Sequence, residues 1–121
     1  MEANEADQID LAASAHARWL VRLRSAIVSG SSEFRPDDVR GDRQCDFGKW
    51  LHSAFPPKLK GTASFEEIRA AHARFHQRAA EILTLALSGR RQEATEAMDA
   101  QGEFMQLSGA LLLKLKALKK I

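Results

Sequence analysis

Two stretches of this chain repeat apolar residues at spacings of three and four, and each sets a histidine inside the repeat. In the first, Ile9, Ala13, His16, Leu20, Leu23 and Ile27 fall on one side of a helix predicted over Asp7–Val28. In the second, Phe65, Ile68, His72, Phe75, Ala79, Ile82 and Ala86 follow the same rule. Stripes of this kind are hidden from water by packing helix on helix, so the fold class is constrained before composition is considered. An imidazole in such a stripe must also find partners for two ring nitrogens away from solvent.

The rest of the chain extends the helical reading. Ser64, with Glu67 three residues on, reads as a capping box that starts the second long helix, and Ser88 and Gly89 close it. "RRQEATEAMD" opens a last helix, in which Met98, Met105 and Leu112 form a heptad row with Phe104, Leu111 and Leu118 beside it. That face is wider than packing on one neighbour requires, so this helix is expected either at the centre of the bundle or against a partner chain. Between the two striped helices, Gly30, Pro36 and Gly41 predict a long irregular loop. A short apolar helix, Phe47–Phe55, follows and stops at "PPKLKG". No segment alternates with period two for long enough to build a sheet. The expected architecture is all-α: an antiparallel four-helix-type bundle with a short extra helix carrying the cysteine.

Composition sets the outer limits. A chain of 121 residues is expected to form a single domain over 1–121, with its core at about 9–118. A net charge of +2 does not argue for nucleic acid, and none is expected as a partner. Lys114, Lys116, Lys119 and Lys120 read as a solvated basic helix end. No apolar run approaches the roughly 18 residues of a membrane span, and no membrane partner is expected. The acidic start, "MEANEADQID", is the opposite of a signal peptide, and one cysteine makes no intrachain disulfide, so the expected location is cytoplasmic. With no Gly-rich phosphate loop, Ser/His/Asp set or Cys-x-x-Cys pair, no enzymatic activity is expected.

The chemistry lies in the histidines and the cysteine. There are four histidines, His16, His52, His72 and His76, and one cysteine, Cys45, within "QCDFGKWL". His72 and His76 are four apart, so one helical turn puts both on the same face. Alone, such a pair is also what two ordinary helical histidines bonded to water or backbone would present. Two stripe histidines on separate helices, a third one turn away and the sole cysteine make a stronger constellation. His16, Cys45, His72 and His76 are the ligand set of a tetrahedral Zn2+ site. Mg2+ and Ca2+ would want oxygen donors, a di-iron bundle would want the Glu-x-x-His that is absent, and haem leaves Cys45 unexplained. Four protein ligands leave no position for a catalytic water, which argues against a zinc hydrolase. Asp46 is expected to cap the short helix, setting the Cys45 sulfur near a helix N-terminus where thiolate is favoured. His52 reads as a surface residue, Trp19 and Trp50 as core, Gly48 as a point of close packing, and Arg18, Arg22 and Arg24 as a solvated face.

Taken in order, "HARW", "CDFGKWL" and "HARFH" resemble the chemoreceptor zinc-binding (CZB) domain family, over nearly the whole chain. The resemblance implies a helical bundle holding one Zn2+ through His16, Cys45, His72 and His76. It implies a regulatory module of bacterial signalling, attached to chemoreceptors or diguanylate cyclases or standing alone, and acting as a homodimer. In the cyclase-linked members zinc inhibits the enzyme; in chemoreceptors, zinc and oxidants such as hypochlorous acid act at the cysteine. The expected function is therefore a non-enzymatic zinc or oxidant sensor with Cys45 as its redox switch and a signalling output domain or protein as its partner. The chain in hand carries no such output, so it is expected to be a stand-alone module or a part of a larger protein. The rival expectation is a structural dimerisation domain with zinc as a permanent staple.

Overall fold

The first stripe forms a helix longer than its apolar pattern, because the mostly polar residues 3–8 continue it outward. A computed structural model describes residues 3–41, 46–53 and 61–118, and within them the side chains of all but 3–6, 46–47 and 52–53. It comprises α1 (Ala3–Ser29), α2 (Pro36–Arg40), α3 (Asp46–Ser53), α4 (Ala63–Leu87), α5 (Arg91–Ala97) and α6 (Glu103–Leu118). Among the described residues there is no strand. The fold is an all-α bundle.

Helix ends follow local chemistry. Gly30, at φ 73°, closes α1 in the left-handed region, and its N–H donates to the Ala26 carbonyl at 2.7 Å. The Arg91 guanidinium then reaches back from α5 to donate to the Ile27 carbonyl at 3.1 Å and to that of Val28, satisfying the exposed end of α1. At the start of α4 the cap is Thr62, not Ser64. Its backbone is extended and its Oγ1 accepts from the Phe65 N–H at 3.2 Å. Ser64 already lies inside the first turn, where its backbone is helical and cannot serve as a cap.

Two expectations are corrected here. The loop read as irregular contains α2, because Pro36 stands at the first helical positions, where its fixed φ fits and its missing N–H is not needed. The last helix is not continuous either. It breaks at residues 98–102, where Gly102 donates to the Asp99 carbonyl at 2.9 Å and Gln101 to the Asp99 carboxylate at 3.2 Å. The break resets the helical phase. The buried row of α6 becomes Phe104, Ser108, Leu111, Leu115 and Leu118, with Met105 and Leu112 only half-buried.

Ion pairs from Arg74 to Glu103 at 2.6 Å and from Lys114 to Glu67 at 3.3 Å show α4 and α6 running antiparallel. Helix α1 is also antiparallel to α6, since Ile9 and Ala12 pack with Leu115 and Leu118 while Trp19 and Leu23 pack near Phe104. The two striped helices therefore run in the same direction. The antiparallel relation holds for α6 against both, because the chain passes through α2 and α3 before α4 begins.

Among the described residues the interior holds two apolar clusters. One joins Trp19, Leu23 and Ile27 to Phe75, Leu83 and Phe104; the other joins Ile9 and Ala12 to Leu51, Ile68, Leu111 and Leu115. Between them α1 contributes His16, α4 His72 and His76, and α6 Ser108. Among the described residues these four are the only buried polar side chains.

Candidate metal centre

Two histidines one turn apart on α4 face each other. The His72 and His76 rings meet edge to face with centroids 4.5 Å apart, and their Nε2 atoms are 3.0 Å apart. His76 is fixed from behind: its Nδ1 lies 2.8 Å from the Val39 carbonyl oxygen. A carbonyl only accepts, so Nδ1 carries the hydrogen and the lone pair of the neutral ring is on Nε2, turned toward His72. Val39 delivers this carbonyl from α2, whose side chain at that position is buried against α4. Two imidazole nitrogens on one tetrahedral Zn2+, each bonded at about 2.0–2.1 Å, would stand about 3.3 Å apart. The observed separation is close to that.

His16 approaches the same region from α1. Its ring centroid is 3.9 Å from that of Phe75, and its Nε2 is 3.3 Å from Ser108 Oγ. Burial, and secondarily repulsion from His76 when that ring is protonated, lowers its pKa from 6.5 to about 4. The ring is thus neutral near pH 7, which is the form that ligates metal.

Aromatic rings pack around the imidazoles. Phe75 stacks on Phe104 at 4.8 Å and meets His76 edge-on at 5.6 Å, while Trp19 meets His76 edge-on at 5.7 Å. Arg22 is more than a member of a solvated face: its guanidinium lies 4.8 Å from the Trp19 ring and 4.9 Å from Phe34. That contact holds the connection into α2 against α1. Trp50 is half-buried and packs against the second apolar cluster, and Gly48 is buried.

The structure brings His16, His72 and His76 into one buried layer. Cys45 and the side chain of His52 lie outside the described residues, as do Lys119 and Lys120. Asp46 is the first residue of α3. Among the described residues, no group of three or more His, Cys, Asp or Glu stands in metal-holding geometry. The paired Nε2 atoms and the fixed tautomer of His76 nevertheless fit a zinc site, and His16 is neutral and adjacent. Two contributors were not expected from sequence. Val39 acts through its backbone, which has no side-chain signature. Ser108 was detectable as a serine at a stripe position between Phe104 and Leu111.

Among the described residues, the buried polar side chains of this bundle are thus three histidines and a serine, a donor set suited to a metal ion. A family model for the chemoreceptor zinc-binding domain matches residues 16–83, more than half of the chain, and the chain belongs to this family. It is therefore a zinc-binding domain of chemoreceptor-related signalling. Comparisons with curated proteins and with solved structures found no match. Among the described residues, no helix is long and apolar enough to cross a membrane.

Proposed function

We propose that this chain is a non-enzymatic regulatory domain, with its core at about residues 9–118, in which His16, Cys45, His72 and His76 hold one Zn2+. The observation that carries this reading is the pair of Nε2 atoms 3.0 Å apart in a buried layer that His16 also enters. Bound there, Zn2+ would supply a tetrahedral template joining α1, α4 and the residue-45 segment. Binding needs Cys45 as thiolate and the imidazoles neutral, so protons and oxidants compete with metal at this site. The Cys45 thiolate, reacting with hypochlorous acid, gives the sulfenic acid and chloride, and the sulfenic acid is a poor ligand. Both apolar clusters are formed by protein side chains alone, which favours a fold that survives loss of metal, and hence a sensor over a permanent staple.

The output is a signalling partner such as a diguanylate cyclase or a chemotaxis protein, a reading supported by the family. Pairing as a homodimer is supported by Leu11, Val21 and Val28, exposed at 67%, 67% and 70% along one side of α1. Metal analysis of the purified protein and of Cys45→Ala tests the site: one equivalent of zinc is expected for the first and a marked loss for the second. Less than half an equivalent in the unaltered protein refutes it. A chelator or hypochlorous acid should then remove zinc while helicity by circular dichroism is retained. Helices lost together with the metal would establish the staple instead.

A further inference from the structure

Among the described residues, Ser108 is the one buried polar side chain that the four-ligand reading does not use. It is 2% exposed, on the core row of α6, with its Oγ 3.3 Å from His16 Nε2. A position that needed only a small side chain would be served by alanine, as it is at Ala12, Ala26, Ala79 and Ala80 in the same interior. Burying a hydroxyl costs about 1–3 kcal/mol unless a hydrogen bond compensates it, so its presence here points to use. A ring nitrogen held against that oxygen cannot also face a metal ion. His16 must then bind through its other nitrogen.

We propose that Ser108 is a positioning residue of the metal site: its Oγ accepts from His16 Nε2–H and thereby presents Nδ1 to the metal. His76 is set the opposite way, with Nδ1–H donated to the Val39 carbonyl and Nε2 left for the metal. The two histidines bind through opposite ring nitrogens, each orientation fixed by a group on an element that supplies no ligand: α6 for one, α2 for the other. Such outer partners set ring orientation and ligand basicity, and losing one weakens metal affinity about 10- to 100-fold. The inference rests on the reading that His16 and His76 are ligands.

The test has two arms. Long-range 1H–15N spectra of the zinc-loaded, unaltered protein should show His16 with hydrogen on Nε2 and His76 with hydrogen on Nδ1. Zinc competition against a chelator should show Ser108→Ala weakened about tenfold or more and Ser108→Thr, which keeps the hydroxyl, near the unaltered value. A His16 ring carrying hydrogen on Nδ1, or a Ser108→Ala variant of unchanged affinity, overturns the proposal. If His16→Ala has lost zinc while Ser108→Ala has not, only this inference fails. If His16→Ala binds zinc normally, the ligand reading beneath it fails as well. The spectra of the unaltered protein decide the matter even where a variant folds poorly.

Discussion

His16 links acidity to folding in the metal-free protein. Unfolded, it takes up a proton near pH 6.5; folded, burial first and His76 second hold it back to about 4. Between these values the unfolded chain binds more protons. The stability contributed by His16 is therefore complete above pH 6.5 and is lost as pH falls toward 4. The shift corresponds to roughly 3 kcal/mol. Urea denaturation of the metal-free protein at pH 7 and pH 4.5 should show this loss, and His16→Leu should show a smaller one. Equal losses in both proteins refute the assignment. That His16 and His72 are buried was legible in their stripes, because helical spacing fixes which side of a helix is covered. The partners of His16 and His76 were not. A hydroxyl on α6 and a carbonyl on α2 meet those rings only through the angles at which separate elements pack.

At the scale of elements, the start of α4 separates two readings that look alike in sequence. Thr62 bonds the Phe65 N–H, whereas Ser64 is exposed within the first turn. Thr62→Ala should cost about 1 kcal/mol, while Ser64→Ala should stay within about 0.5 kcal/mol, both measured by thermal melting. The reverse order would restore the Ser64 capping box. The boundaries of the long helices were legible to within a few residues, since each ends on glycine or a polar turn. The break between α5 and α6 was not: the heptad through Met98, Met105 and Leu112 continues in sequence as though no turn intervened. The turn depends on Asp99 bonding two backbone groups within three residues, which hydrophobic spacing does not register. Pro36 was misread for a related reason, since the same residue that ends a helix from inside also begins one.

For the molecule as a whole, the proposed site would couple metal and fold through the histidine layer. At free zinc about a thousand times the dissociation constant, binding to the native state alone adds about 4 kcal/mol, or about 15 °C in melting temperature for a chain of this size. The layer lies between the two apolar clusters, so amide exchange should slow in both on zinc binding. Protection confined to one cluster would show that the metal does not tie the two ends together. The all-α class was legible from periodicity alone. The shared direction of α1 and α4 was not, because it depends on the path taken through residues 30–62, where Gly and Pro mark bends without giving their sense.

The same layer also sets alignment. Apolar faces slide past one another with little to stop them at any particular height. Moving α6 along its axis by one turn, about 5.4 Å, would carry Ser108 away from His16 and bring an apolar neighbour to its level. A buried ring nitrogen would then lose its partner at a cost of about 1–3 kcal/mol. His16 and Ser108 thus act as a key and keyway cut into an otherwise greasy shaft: α1 and α6 fit together at one height.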